Sequence, residues 1–226
     1  MMSCREGHLE APGGGHDAEK RRQILEGARR VFLALGFDSA HMAEIARAAG
    51  VSKGTLYVYF ASKQELFSAL VDEECTQTAE RIFEVDDAAD VRTALFRVGR
   101  SYVHAMIQPE YVAVLRIVIS IADRFPDIGR QFLESGPTAG VVRLAEWLRR
   151  REQAGELRLP APELSAWQFL VGCHAPVVMP MLFGNMPPPD EAKIVEVVTY
   201  MVDAFLRAWG PPAPGQAAPG PHPGAE

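Results

Sequence analysis

The chain has 226 residues, of which 48% are apolar and 23% are charged, and these values are ordinary for a globular protein. Its three cysteines, Cys4, Cys75 and Cys173, are far apart and show no metal-binding spacing, which argues against a disulfide framework or a metal site and favours a reducing cytoplasm. The glycine-rich start lacks the apolar core of a signal peptide. The sequence has no uninterrupted run of about 18 apolar residues, so no membrane span is predicted.

The net charge is −6, which at first argues against a nucleic-acid partner. The charge is unevenly distributed, however, because residues 17–70 carry eight Lys/Arg against six Asp/Glu, a surplus of two positive charges. Phosphate binding depends on the charge of the face that contacts the phosphate and not on the net charge of the whole chain. The composition therefore leaves nucleic-acid binding open and places it in the N-terminal part.

The first elements in chain order are a tail and a helix. Residues 1–16 are rich in glycine and are predicted to be disordered. From Asp17 to Leu35, apolar residues recur at helical spacing, and Gly36 follows where the predicted helix should end.

Two short helices about a glycine turn are predicted next. The apolar residues of MAEIARAA recur at i, i+3, i+4 and i+7 from Met42, and Gly50 follows where a helix can end in the left-handed conformation. Ser52 suits the N-cap of a second helix over 53–58, because its hydroxyl can accept from an unpaired backbone N–H.

A third, longer helix is predicted to begin at Ser62, which has capping-box spacing to Glu65. Two short helices about such a turn form the helix-turn-helix geometry, in which the second helix enters the major groove of DNA. Gly54 costs that helix about 1 kcal/mol relative to alanine, and it either lets the backbone approach DNA closely or relieves crowding. The outward residues of the second helix are predicted to be Ser52, Lys53, Gly54, Thr55, Tyr57 and Tyr59.

The stretch AGVSKGTLYVYFASKQELF closely resembles the DNA-binding signature of the TetR family of transcriptional regulators. The resemblance extends upstream through RRQILEGARRVFLALGF, and so covers roughly residues 20 to 70. It implies base or backbone contacts from Ser52, Lys53, Gly54 and Thr55. It also implies phosphate contacts from Tyr57, Tyr59 and Lys63.

One departure from the family pattern lies at the entry to the first reader helix. Where this chain has Ala40-His41, the family usually has a threonine or serine. In the family, that threonine or serine contacts phosphate. Either Ser39 caps the helix in its place, or His41 takes the phosphate.

The rest of the chain reads as helices joined by short loops. No strand pattern appears, so the predicted fold is all-α, with about nine or ten helices. Pro126 is predicted to open a short helix that Gly136-Pro137 closes, and Pro176 and Pro180 are predicted to kink or break an apolar helix that begins at Pro162. The other predicted helices cover 62–83, 91–107, a segment from Pro109, 138–153 and 194–209.

The C-terminal part resembles, more loosely, the ligand-binding and dimerisation domain of TetR-type regulators. The stretches ADRFPDIGRQFLESGP, LAEWLRRREQAGELR and PELSAWQFL resemble the AefR-like subgroup. The helices at 138–153 and 190–208 carry apolar residues over wide arcs, so each needs two neighbours, and pairing with a second copy would supply them. The alternative is that the body buries these faces internally.

An effector pocket is predicted between the body helices, lined by aromatic and methionine side chains that suit a flat or apolar ligand. The competing interpretation is that these side chains are packed core and that the two histidines have hydrogen-bonded packing roles. The candidates are Tyr102, His104, Met106, Trp147, Trp167, Phe169, Cys173 and His174, together with Met179 and Met181.

The sequence thus predicts a disordered tail over 1–16, a helix-turn-helix domain over 17–67, a ligand-binding and dimerisation domain over 68–209, and a disordered Pro/Gly-rich tail over 210–226. The predicted function is a cytoplasmic, ligand-responsive regulator, a repressor by family tendency, which binds a palindromic operator as a homodimer and is released by a small, largely apolar effector. One alternative is a helical adaptor that has lost DNA binding. The other is an all-helical enzyme using Cys173-His174, but neighbours on a helix point about 100° apart, which is poor geometry for proton transfer.

Overall fold

A computed structural model describes residues 14–82, 89–184 and 186–211, and in these ranges all regular structure is helical. This confirms the predicted all-α class. The helices are α1 (Gly14–Ser39), α2 (Met42–Ala49), α3 (Lys53–Tyr59), α4 (Lys63–Ile82), α5 (Val91–Met106), α6 (Pro109–Ile121), α7 (Pro126–Leu133), a π-helical segment (Glu134–Thr138), α8 (Ala139–Gln153), α9 (Pro162–Gly184) and α10 (Glu191–Trp209).

The predicted stops and caps of the N-terminal helices are confirmed. Gly36 interrupts α1 with φ 74° and ψ 174°, and Gly50 ends α2 in the left-handed region at φ 65° and ψ 33°. Ser52 caps α3, and its Oγ accepts from the Thr55 N–H at 3.0 Å. The helix α1 begins at Gly14, however, three residues before the predicted Asp17.

One predicted helix end and one predicted break in the C-terminal part do not occur. Gly136-Pro137 does not close a helix, because the π-helical segment joins α7 to α8. A π turn widens the helix, so the chain can pass a proline without an interior hydrogen-bond donor. Likewise, α9 continues through Pro176 and Pro180 without a break, since packing against α5, α8 and α10 holds it in place. Of the predicted disordered tails over 1–16 and 210–226, residues 1–13 and 212–226 lie outside the described residues, and residues 14–16 are helical, so that part of the prediction is wrong.

Two hydrophobic cores organise the molecule, and we call them the head core and the body core. The head core joins α1, α2, α3 and α4 to α6 and α7, and it includes Phe32, Leu56 and Phe67 together with Val118 and Phe132. The body core joins α5, α8, α9 and α10 with the loop at 157–159. The half-buried Tyr111 of α6 packs against both cores.

One helix of the described residues, α9, is long and apolar enough to cross a membrane by length and composition. Its polar residues interrupt the apolar run, so the sequence did not predict it. In this fold α9 packs against α5, α8 and α10, and its buried residues include Phe169, Cys173 and Val177. A central core helix has the same composition as a membrane span.

Candidate nucleic-acid interface

The helix α3 is held against the head by one face. Leu56 is fully buried, and Phe60, which directly follows α3, is also buried, as the sequence predicted. Arg21 of α1 lies over the Phe60 ring at 5.5 Å from its centroid. The opposite face of α3 is exposed, and Ser52, Lys53, Gly54 and Tyr57 all lie on it.

Polar contacts from α1 hold the end of α2 in place. Gln23 Nε2 donates to the carbonyl of Ala49 at 2.6 Å, and an Arg30 amino group donates to the carbonyl of Ala48 at 2.6 Å. These carbonyls belong to the last turn of α2, where no intrahelical partner is available. Gly27 lets the two helices meet, because a Cβ there would lie 2.6 Å from the backbone of Ala49.

Four of the predicted DNA-contact residues already have side-chain hydrogen-bond partners inside the head. The Thr55 Oγ1 lies 2.8 Å from Ser52 Oγ, and the Tyr59 hydroxyl donates to Asp17 Oδ1 at 2.8 Å. That bond raises the pKa of Tyr59. The Lys63 ammonium donates to the carbonyls of Phe37 at 2.7 Å and Asp38 at 3.1 Å.

The entry to α2 excludes one of the two alternatives left open by the sequence. His41 occupies the N-cap position with extended backbone, and its N–H donates to Glu44 Oε2 at 3.3 Å. Ser39 is exposed at the end of α1, two residues earlier, so the idea that it caps α2 is wrong. Ala40 is fully buried in the head core, which explains why an apolar residue stands there.

The sequence missed Val58, the most exposed large apolar side chain in the described residues, with 83% of its surface accessible. The α3 helix turns about 100° per residue, so Gly54 and Val58 both point away from Leu56. The four-residue spacing from Gly54 was the signal that could have identified it.

The predicted effector residues fall into two groups. Tyr102, Met106, Trp147, Phe169 and Cys173 are all buried in the body core, and Trp167 is half-buried against it. His174 meets Tyr102 edge to face at 5.5 Å, and its Nδ1 lies 2.9 Å from the carbonyl of Leu170. Burial lowers the pKa of His174 and raises that of the Cys173 thiol to about 12, so at neutral pH both are uncharged.

Two further candidates do not line the body core. His104 lies on the surface, where its Nε2 is 2.9 Å from Glu191 Oε2, because α5 and α10 meet there through an ion pair. The same Glu191 accepts from Arg100 at 2.6 Å, and this hydrogen bond is the main cause of its lowered pKa. Met179 is exposed on the outer face of α9, whereas Met181 is buried. Among the candidates, Tyr102 and His174 are the pair whose rings are shown in contact among the described residues.

Exposed apolar side chains concentrate on α9 and α10. On α9 they are Leu164, Val171, Met179 and Phe183, and on α10 they are Val195 and Tyr200. The predicted second apolar face of α8 is not exposed as the faces of α9 and α10 are. Apolar residues of α8 are covered by α9 and by other body residues, and Val142 is the large apolar side chain of α8 that stays exposed.

A helix-turn-helix head with a capped, outward-facing second helix, mounted on a larger helical body, defines a DNA-binding regulator. Residues 24–70 match the profile of the bacterial regulatory proteins of the tetR family, and residues 93–211 match the C-terminal domain of AefR-like transcriptional repressors. The chain belongs to the TetR family of transcriptional regulators, and it is a DNA-binding transcriptional repressor with an AefR-like C-terminal domain.

Similar proteins span nearly the whole length of the chain. The HTH-type transcriptional repressor Rv1474c of Mycobacterium tuberculosis is 27% identical over 192 residues, which cover 85% of this chain and 95% of that protein. A TetR-family regulator from Mesorhizobium loti matches with a TM-score of 0.82 and 26% identity, over 89% of this chain and all of that one. The flavonoid-responsive regulator FrrA matches with a TM-score of 0.76 and 34% identity, over 87% of this chain and all of that one. These relatives are transcriptional regulators and not enzymes.

Proposed function

We propose that this repressor binds a palindromic operator as a homodimer and is released by a small, largely apolar effector. The observation that carries the proposal is the exposed face of α3, which is accessible while the rest of that helix is fixed in the head core. We divide the chain into a DNA-binding domain over 17–67 and an effector and dimerisation domain over 68–209, and we place the protein in the cytoplasm.

The proposed DNA contacts fall into two classes. Ser52, Lys53, Gly54 and Thr55 approach base edges or the adjacent backbone, because they occupy the start of the helix that enters the major groove. Tyr57, Tyr59, Lys63 and His41 bind phosphate, and Ser39 lies beside them at the end of α1. Lys63 and Tyr59 also hold the head together, so their bonds to Asp38 and Asp17 compete with phosphate.

The second copy is proposed to cover the outer face of α9 and α10. Val171 and Met179 are exposed along α9, and Tyr200 is exposed on α10. A second copy would bury these apolar side chains, which are left in water in a single copy. Two copies related by a two-fold axis bury the same surface twice and present two α3 helices to a two-fold operator. In this arrangement α9 is a core and interface helix, and we propose no membrane partner.

The effector is proposed to bind where the two cores meet. The half-buried Tyr111 packs against both cores, and the buried Tyr102 with His174 lies on the body side. FrrA is a flavonoid-responsive regulator, and an aromatic lining in this chain suits a flat, mainly apolar molecule of that general kind. A ligand that prefers a displaced α6 would shift the heads, since it acts only through its differential affinity for the two states.

Selection of bound duplexes from a random DNA pool, at 0.1 M salt, tests the proposed function. We expect an enriched palindrome whose half-sites lie about one helical turn apart. If a folded dimer enriches no sequence even after unfolding, dialysis and refolding, the operator proposal is wrong and the adaptor alternative is favoured.

A matched pair of lysine variants then locates the contact. Lys53→Ala should flatten the dependence of binding on salt by about one ion, because one positive charge that displaces counterions from DNA is lost. Lys193→Ala, on the exposed surface of α10, should leave that dependence unchanged.

A further inference from the structure

The outermost side chain of the recognition helix is an aliphatic one. Val58 is 83% exposed, and in the described residues no large apolar side chain is more exposed. An exposed, β-branched residue is unfavourable in a helix of seven residues and gains nothing from packing. Val58 therefore makes no visible contribution to the stability of the head.

The surroundings of Val58 are polar on both flanks. On one flank, the Lys53 ammonium lies 5.9 Å from the Tyr57 ring centroid. On the other flank, Ser52 and Thr55 share a hydrogen bond at 2.8 Å. Hydrogen-bonding groups thus border a single apolar centre.

Gly54 lies one turn before Val58 on the same side of α3. A Cβ at Gly54 would meet only Ser52 Oγ, at 3.7 Å, so the fold does not require a glycine here. With no side chain at that position, the α3 backbone can come close to a surface, and Val58 is then the side chain that reaches it. Gly54 and Val58 together form a surface that can lie against a flat partner. The Val58 side chain would then contact an apolar group of that partner.

The major-groove edge of DNA offers one apolar group, the C5-methyl of a pyrimidine, which standard DNA carries only on thymine. We propose that Val58 reads a thymine methyl in each operator half-site and so determines specificity at that base pair. The inference rests on the DNA-binding function above, and it adds a residue and a base to it.

The test replaces each thymine of the selected operator by deoxyuridine, which lacks only the C5-methyl group. The replacement is made in both half-sites at once, and affinity is measured by fluorescence anisotropy at fixed salt. One thymine position should stand out, with wild-type binding weakened about four-fold per half-site, the equivalent of about 0.8 kcal/mol for one buried methyl. Synthetic duplexes without 5-methylcytosine assign the effect to thymine.

The variant Val58→Ala completes the cycle. It should bind the thymine operator more weakly and should no longer distinguish thymine from deoxyuridine at that position. Val142→Ala, which removes the same atoms from an exposed site on α8, should keep the full discrimination. Since Val58 is exposed and β-branched, the alanine variant should unfold at the same temperature as the wild type or slightly above it.

Two results would overturn the proposal. In one, no deoxyuridine replacement changes binding of the wild type. In the other, Val58→Ala retains the discrimination. Both would leave the operator itself in place, whereas a failure to bind any duplex would overturn the operator proposal together with this one.

Discussion

The two cores differ in how they relate to the order of the chain. The body core gathers α5 with α8, α9 and α10, all of which lie after residue 90, and it takes one buried residue, Val112, from α6. The head core, in contrast, reaches across the chain and takes in α6 and α7, which lie far beyond the helix-turn-helix in sequence. The DNA-binding head is therefore packed as one unit with part of the body.

Specific contacts make this connection. Phe125, between α6 and α7, packs on Phe37 with ring centroids 5.4 Å apart, and Phe37 in turn meets Phe67. Arg124 donates two hydrogen bonds to the Asp38 carboxylate, at 3.0 and 2.9 Å, and they lower the pKa of Asp38. A movement of α6 and α7 must consequently move the head or break these contacts.

Arg116 links the same helix to the body. Its guanidinium donates to the carbonyls of Met181 at 2.5 Å and Leu182 at 3.2 Å, in the last turn of α9. Because α6 contacts both the head core and the end of α9, it is one element that connects the body to the DNA-binding helices.

The largest expected effect concerns the packing of α1 on α2. Gly27→Ala should lower the free energy of unfolding by about 3 kcal/mol, because the new Cβ would overlap the backbone of Ala49. Chemical denaturation measures the change. Gly129→Ala on α7 is the matched control, since its Cβ would lie 3.4 Å from Ala122 Cβ, an ordinary contact, and should be neutral or slightly stabilising. Equal stability of the two variants would contradict the packing described for the head.

The next effect concerns the outer face of the body. Val171→Arg on α9 should raise the dissociation constant of the dimer about a hundred-fold, because two arginines are buried per interface without partners. Val142→Arg on α8 should leave it unchanged. Sedimentation equilibrium distinguishes the two, and the reverse outcome would place the interface on α8.

The third prediction concerns Gly54, where stability and function should change in opposite directions. Gly54→Ala should increase the free energy of unfolding by up to about 1 kcal/mol, because alanine favours the helix and its Cβ has room. Operator affinity should fall about ten-fold, since the methyl group holds α3 away from DNA. If the stability of Gly54→Ala rises and its operator affinity stays unchanged, the α3 backbone does not approach DNA closely.

The smallest effect compares two tyrosines. Tyr57→Phe should weaken binding to all duplexes about three-fold, because a hydroxyl contact to phosphate carries no sequence information. Its stability should be unchanged, as no hydrogen bond of that hydroxyl is present among the described residues. Tyr59→Phe should instead lower the unfolding temperature slightly, since it loses the bond to Asp17. Anisotropy measures the DNA affinity of both variants, and thermal unfolding measures their stability. A loss of stability in Tyr57→Phe together with a loss of affinity alone in Tyr59→Phe would reverse the two assignments.

The head could be predicted residue by residue because its signals are local. Gly50 needs a left-handed conformation, Ser52 caps within three residues, and both are readable from spacing. The capping box at Ser62 is correct in one half, because Glu65 N donates to Ser62 Oγ at 3.1 Å. The return bond comes from the N–H of Ala61 and not of Ser62.

The sequence was less informative where the outcome depends on long-range packing. Periodicity could show that Tyr102 and Phe169 face inward, but it could not separate a pocket from a filled core. The same limit explains His104, whose partner Glu191 lies on a helix remote in sequence. The joining of α6 to the head core also depends on tertiary contacts such as Phe37 with Phe125.

Amide hydrogen exchange of the protein, with and without operator DNA, tests most directly the claim that α6 belongs to the DNA-binding unit. Operator stabilises only those structural units whose opening destroys the DNA site. We expect it to slow exchange equally at Phe32 in α1, Leu70 in α4 and Val118 in α6, with a smaller change at Phe169 in α9. Slower exchange at Phe32 and Leu70 with no change at Val118 would contradict the claim and would show that the head opens independently of α6.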